Sequence, residues 1–178
     1  LQCSAYHISL NTAQYYIDAM KKYKVQNGTG YPSAWYSLAQ FTKENGIDAP
    51  RLSFIVMDSE KIEENERETI EEVFHCKVYM TYGLSEIAQA AVECPYHHYH
   101  IVPPLVYAET ARFENGEYEE DEGEIILTTL STKYTPLIRY RTGDMGILRK
   151  GGCPCGWKSP YFEKITGRVE DYILYKGK

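Results

Sequence analysis

No stretch of the sequence approaches the roughly 20 consecutive apolar residues that a membrane-spanning helix needs, so no membrane partner is expected. The opening residues, Leu1-Gln2-Cys3, offer neither the basic lead nor the apolar run of a secretory signal. Positive charge is in deficit: 19 Lys and Arg stand against 25 Asp and Glu, for a net charge of −6. No basic stripe offsets that balance, which argues against a duplex nucleic acid as partner. A nucleotide escapes the exclusion, because one local pocket can hold it against the net field. Internal repeats and low-complexity tracts are absent. The five cysteines form an odd set with no sign of export, which argues against a disulfide framework and for reduced thiols in a cytoplasmic protein.

What is present fits a soluble globular core. Hydrophobic residues make up 43% of 178, enough for one domain or two small ones packed together. The 17 tyrosines are expected to be mostly half-buried, since each pairs a large ring with a polar end.

The hydrophobic spacing predicts an α/β fold: a parallel sheet with crossover helices, then a small β-rich, barrel-like subdomain. Asn11-Thr12-Ala13-Gln14 reads as a capping box ahead of a helix that carries Tyr15, Tyr16, Ala19 and Met20. Val25 to Tyr31 reads as a short strand or turn. Pro32 then opens a second helix with Ala34, Leu38 and Phe41 on one face and Gly46 past its end. Leu52 to Met57 reads as a buried strand, Glu63 to Phe74 as an acidic-led helix, and Lys77 to Tyr82 as the next strand. Helical periodicity stops near residue 100. Leu105-Val106-Tyr107, Gly123 to Thr129 and Pro136 to Arg141 read as strands, with a hairpin turn at Glu114 to Glu117. The acidic run Glu117 to Glu124 reads as solvated. The change of pattern divides the chain into an α/β part, 1–103, and a β-rich part, 104–178.

Two short motifs carry chemistry. Tyr82-Gly83-Leu84-Ser85-Glu86 follows a strand, and ligands of open α/β sheets gather at strand carboxyl ends. Gly83 permits close backbone approach, Ser85 offers a hydroxyl to a phosphate, Glu86 offers a hard oxygen to Mg²⁺, and Tyr82 can stack on a purine. The same residues also suit a loop in which Glu86 caps a following helix. Tyr140-Arg141-Thr142-Gly143-Asp144 places a carboxylate after a glycine turn, where it can accept two hydrogen bonds from a ribose diol. An aspartate in an ordinary type I or II turn is the competing reading.

A second constellation is Cys153-Pro154-Cys155-Gly156 with Cys94 and a histidine cluster upstream. Three thiolates and one imidazole suit tetrahedral Zn²⁺. His97, His98 and His100 are rival fourth ligands. A cluster of reduced surface cysteines and polar histidines is the plainer alternative.

Taken in order, Tyr-Gly-x-Ser-Glu, Gly-Glu-Ile-Ile-Leu-Thr-Thr-Leu, Pro-Leu-Ile-Arg-Tyr-Arg-Thr-Gly-Asp and Ile-Thr-Gly-Arg-Val-Glu-Asp resemble the AMP-forming acyl-CoA synthetase superfamily. Gly30-Tyr31-Pro32-Ser33-Ala34, and Glu93-Cys94 ahead of His100-Ile101, point to its phenylacetate-CoA ligase branch with the capsular polysaccharide relatives. The resemblance runs from about Tyr6 to Ile173. It implies ATP, Mg²⁺, coenzyme A and a small carboxylic acid as partners. It implies Tyr82 beside the adenine, Ser85 at the α-phosphate, Glu86 at Mg²⁺, Asp144 on the ribose hydroxyls and Arg168 near the ribose. Asp171 would match the hinge before a mobile lid. It also favours His100 as the fourth ligand of a structural zinc. The loop Asp58-Ser59-Glu60 would line the adenine side, and Tyr31 and Ser33 would border the acyl pocket. The family's phosphate loop and lid lysine are not among these residues, so the expectation is a central fragment, inactive by itself. An adenylyl transferase of the capsule-biosynthesis type and a zinc-stabilised binding module are the competing functions.

Overall fold

A computed structural model describes residues 1–112 and 121–168. The chain divides into two compact units, Leu1–Thr81 and Tyr82–Lys178. Among the described residues no helix is long and apolar enough to cross a membrane.

The first unit alternates helices and parallel strands: α1 (Ala13–Lys22), β1 (Asn27–Gly30), α2 (Pro32–Glu44), β2 (Phe54–Met57), α3 (Glu64–Phe74) and β3 (Lys77–Leu84). β1 pairs with β2, and β2 with β3, both in parallel. The two crossovers, α2 and α3, supply the connection that a parallel pair requires. α2 starts on Pro32, whose missing N–H costs nothing in a first turn, and ends at Asn45 with Gly46 at φ +60°. α3 is opened by a reciprocal capping box between Glu63 and Glu66. Ile55, Met57, Ile70, Phe74 and Val78 are almost fully buried, and each such side chain is worth about 1.5–3 kcal/mol relative to exposure. Trp35 of α2 meets Phe74 of α3 edge to face at 5.2 Å. Arg67 is buried in this core and donates from Nη1 to the Val78 carbonyl at 2.6 Å.

The N-terminus of α1 differs from its sequence pattern. Its N-cap is Thr12, which makes no side-chain cap bond. The Thr12 hydroxyl instead accepts from the Ser9 N–H at 2.9 Å and donates to the His7 carbonyl at 2.7 Å. The cap lies one residue later than the pattern implies, so Tyr15 occupies the N3 position that a box would fill with Glu or Gln, and Gln14 pairs with Asp18 one turn on. The buried stripe is Ala13, Ile17 and Met20, and Tyr15 faces solvent.

The second unit is an antiparallel sheet of β4 (Ala88–Glu93), β5 (Tyr99–Ile101), β6 (Val106–Ala111), β7 (Glu122–Thr129), β8 (Tyr140–Arg149) and β9 (Tyr161–Arg168). Their order is β4-β5-β9-β8-β7-β6. The core is Ile87, Ala90, Ala91, Ile101, Val106, Ile125, Leu127 and Phe162. β4 and β5 precede residue 104 in the chain yet belong to this sheet, because β5 takes its hydrogen bonds from β9.

The strand expected from Pro136 begins only at Tyr140. Pro136 has no N–H to give, and two of the next three donors are diverted. Leu137 N–H goes to the Thr129 hydroxyl at 2.9 Å and Arg139 N–H to the Thr128 hydroxyl at 3.0 Å. Arg139 lies at φ +52° and Ile138 is exposed. The hairpin turn at Glu114 to Glu117 lies outside the described residues, as does the first half of the acidic run Glu117 to Glu124.

Candidate functional site

β8 carries Asp144 and the end of β3 carries Tyr82. They lie 62 positions apart, yet the Tyr82 hydroxyl donates to Asp144 Oδ2 at 2.8 Å. Arg168 is the cross-strand partner of Asp144 in the β8–β9 register, and its Nε lies 3.6 Å from Oδ1. The Tyr82 ring meets Phe162 edge to face at 5.9 Å. Burial pushes the Tyr82 phenol well up; the Thr142 hydroxyl opposes this and the adjoining Asp144 carboxylate adds to it, so the phenol stays a proton donor.

The turn that presents Asp144 is held from beneath. Thr142 donates its hydroxyl to the Ile125 carbonyl at 2.9 Å and accepts from the Asp144 N–H at 3.1 Å. Gly143 adopts φ +76°, a conformation that favours glycine, and its N–H reaches Glu124 Oε1 at 3.2 Å. The other Glu124 oxygen accepts from Arg141 Nε at 2.6 Å. A register shift between Glu124 and Ile126 accompanies this turn, and such irregularities often re-aim a side chain beside a site.

Ser85 and Glu86 form an exposed turn between β3 and β4. A strand follows them, so Glu86 caps no helix. Glu86 Oε1 accepts from the Tyr140 hydroxyl at 3.3 Å, and its other oxygen is open to a cation. Gly83 has a role within the fold: a methyl there would overlap the Ala88 carbonyl. The structure thus brings together Tyr82, Asp144 and Arg168 in one cluster, and Glu86 with Tyr140 in another. Asp171 lies outside the described residues.

Sequence reasoning missed Glu124. The run it closes was read as solvated, yet Glu124 is only 4% exposed. Its place between Gly123 and the apolar Ile125-Ile126-Leu127 was the available signal. The partnership of Tyr140 with Glu86 was also missed, although Tyr140 stands in the quoted motif.

In the first unit, a cavity of about 290 Å³ is lined by Tyr31, Trp35 and Leu38 among others. The Ser33 N–H and hydroxyl both donate to Glu60, at 2.9 and 3.1 Å, so Glu60 caps α2 from the loop after β2.

The soft-ligand cluster assembles in the second unit. Ligand atoms of Cys94, His100, Cys153 and Cys155 all lie within 4.8 Å of one another. Cys94 Sγ and Cys153 Sγ are 3.8 Å apart, and Cys155 Sγ is 3.3 Å from both Cys153 Sγ and His100 Nε2. A tetrahedron with metal–sulfur bonds near 2.3 Å has sulfur edges of roughly 3.8 Å, so the cage fits one ion. Gly152 and Gly156, at φ +89° and +85°, bracket the turn that aims both sulfurs inward. His100 is fully buried, and its Nδ1 meets the Ser159 hydroxyl at 3.1 Å, which leaves Nε2 toward the sulfurs. Burial lowers its proton affinity, as a neutral ligand requires. Burial likewise raises the Cys153 thiol, helped by the neighbouring Cys94 and Cys155 sulfurs. Ionising all three sulfurs this close together would need a cation between them. His97 turns away to Glu93 at 2.8 Å. His98 stacks on Tyr161 and places Nδ1 3.3 Å from Cys153 Sγ, beside the cage rather than in it.

No family model matches the chain. It is 31% identical over 159 residues to phenylacetate-coenzyme A ligase of Thermus thermophilus, covering 82% of the chain and 35% of that protein. It is 28% identical over 184 residues to Protein CapK of Staphylococcus aureus, covering 100% of the chain and 39% of that protein. The chain resembles the phenylacetate-CoA ligase-like, adenylate-forming enzymes. It spans roughly a third of the length of these relatives. Among solved structures, 2-hydroxyisobutyryl-CoA ligase in complex with 2-HIB-AMP and CoA superposes with a TM-score of 0.76 at 21% identity, over 95% of the chain and 42% of that structure. A long-chain-fatty-acid-CoA ligase of Archaeoglobus fulgidus gives 0.65 at 13% identity, over 89% and 37%. These likenesses establish an adenylate-forming fold.

Proposed function

We propose that the chain is the adenylate-holding segment of an AMP-forming acid-CoA ligase, a cytoplasmic enzyme whose first candidate substrate is an aromatic acid. The observation that carries this is the convergence of Tyr82 and Arg168 on Asp144, in a chain similar to phenylacetate-coenzyme A ligases. The substrate carboxylate would attack the α-phosphorus of ATP, breaking its bond to pyrophosphate. The coenzyme A thiol would then attack the acyl carbon and AMP would leave. Asp144 accepts the ribose hydroxyls and Arg168 sits beside them. Tyr82 flanks the adenine, with the Gly83 backbone close by, and Ser85 donates to the α-phosphate. Glu86 supplies a carboxylate oxygen to Mg²⁺, which neutralises phosphate charge when bound. Asp171 is the hinge residue of this scheme.

The Cys94–His100–Cys153–Cys155 cage holds zinc in this reading. Four protein ligands leave no open position, so its role is to stabilise the fold rather than to catalyse. A second reading, implied by the resemblance to the capsular polysaccharide relatives, is adenylyl transfer to an acceptor other than the coenzyme A thiol; the match to Protein CapK spans the whole chain.

Titration of the protein with AMP tests the site. Binding is expected, with a loss of about 10- to 100-fold in Asp144→Ala as charge-assisted hydrogen bonds disappear. Equal AMP affinity in that variant would remove Asp144 from the site.

A further inference from the structure

An ionised carboxylate has two lone pairs on each oxygen. In this structure one position on Asp144 Oδ2 is taken by the Tyr82 hydroxyl at 2.8 Å, and Oδ1 faces Arg168 Nε at 3.6 Å. Among the described residues, one position on each oxygen remains. Two parallel acceptor positions suit two hydroxyls on adjacent carbons. That match exists only while the carboxylate plane is fixed. The Asp144 backbone is fixed by its N–H bond to the Thr142 hydroxyl, itself anchored on the Ile125 carbonyl. Of the two groups that fix the side-chain torsion, Arg168 is two-thirds exposed and long, so it sets the plane loosely. Tyr82 is half-buried and its ring is packed edge to face on Phe162, so its hydroxyl has little freedom.

We propose that Tyr82 acts through its hydroxyl as the positioning residue that sets Asp144 for a vicinal diol, and so makes the site prefer ribonucleotides to deoxyribonucleotides. This rests on the reading of Asp144 as the ribose acceptor. It gives Tyr82 a task separate from stacking on the base: the ring serves every adenine nucleotide alike, whereas the hydroxyl separates them by their sugar. Burial keeps the phenol protonated, so the hydroxyl donates across the range in which the carboxylate is ionised.

The test is a titration of the wild-type protein, Tyr82→Phe and Asp144→Ala with AMP, 2′-deoxy-AMP and 3′-deoxy-AMP. Tyr82→Phe keeps the ring that packs on Phe162, and a melting curve verifies the fold. The wild type should bind AMP at least about tenfold more tightly than either deoxynucleotide, the usual loss when a charged acceptor forfeits a donor. In Tyr82→Phe the carboxylate turns freely. The expected result is AMP affinity about tenfold weaker, deoxynucleotide affinity little changed, and a discrimination ratio near one. A merely structural role would weaken all three ligands together and leave the ratio intact, which overturns the proposal. Wild-type discrimination retained in Asp144→Ala would instead show that Asp144 does not read the ribose. That result would overturn the site assignment and this inference at once, through an arm that does not touch Tyr82.

Discussion

His100 Nε2 lies 3.3 Å from Cys155 Sγ, while its Nδ1 is held by Ser159 on the opposite side. One ring nitrogen is thus tied to the protein scaffold and the other is aimed at three sulfurs. Elemental analysis of protein purified without added metal should give about one zinc per chain, the stoichiometry of a single tetrahedral site. Chelation should lower the melting temperature, because metal binding to a cage absent from the unfolded chain adds to folding free energy. Cys155→Ser and His100→Ala should release metal. His97→Ala should retain it. His98→Ala should retain it with affinity weakened about tenfold, the usual cost of losing a group that supports a ligand. Full occupancy in Cys155→Ser would show that these are ordinary thiols.

Gly83 is fixed by backbone packing. Its α-carbon lies against the Ala88 carbonyl, and no side chain there can yield to a methyl group. Ala88 itself holds φ +62°, so the tight turn cannot readily open. Gly83→Ala should cost about 1–3 kcal/mol, the range for forced overpacking. Denaturant melting measures this, and an unchanged midpoint would mean that the turn has room to relax.

The parallel half of the fold was legible because its signals are local: Pro32 before an apolar stripe, an acidic lead from Glu63 into the helix, a short apolar run at Leu52 to Met57. The capping box at α1 failed because Thr12, tied to Ser9 and His7 outside the window, starts the helix one residue later and leaves Tyr15 at N3. Pro136 to Ile138 looked like a strand for its apolar content, but hydroxyls from Thr128 and Thr129 absorb the donors a ladder needs. In the site, Tyr82 and Asp144 could be named from motif order, whereas the bond between them depends on strand ends meeting in space. The choice of His100 over His97 and His98 is a matter of register: His100 lies in β5 opposite Tyr161, and the other two precede the strand.

Glu86 is exposed in a turn, so its charge can be removed without disturbing the fold. A glutamine keeps the oxygen that accepts from Tyr140 at 3.3 Å. Glu86→Gln should therefore change stability by less than about 0.5 kcal/mol, as for other exposed positions. If Glu86 holds Mg²⁺, a full-length ligase that contains this segment should, with the same change, lose acid-dependent AMP formation most severely at limiting Mg²⁺ and recover part of it at high Mg²⁺. Normal turnover at limiting Mg²⁺ would place the cation elsewhere.

Glu124 tests whether the support beneath Asp144 matters as much as Asp144 itself. Its carboxylate holds the Gly143 N–H on one oxygen and Arg141 on the other. Arg141 is 60% exposed along its side chain, so it can return to water at small cost. The Gly143 N–H is less free, because it belongs to a turn held at φ +76°. Glu124→Ala removes its acceptor and should cost about 1–3 kcal/mol, the price of an unmet donor. The same change releases the turn that presents Asp144, so AMP affinity should fall although no atom of Glu124 is assigned to the nucleotide. Glu124→Gln separates the two tasks. Its amide oxygen can still accept from Gly143, while its amide nitrogen faces the Arg141 guanidinium, donor against donor. If the turn is what counts, Gln restores most of the AMP affinity that Ala loses and only part of the stability. If the Glu124–Arg141 charge pair is what counts, Gln behaves like Ala in both measurements, and the hydrogen bond to Gly143 is incidental.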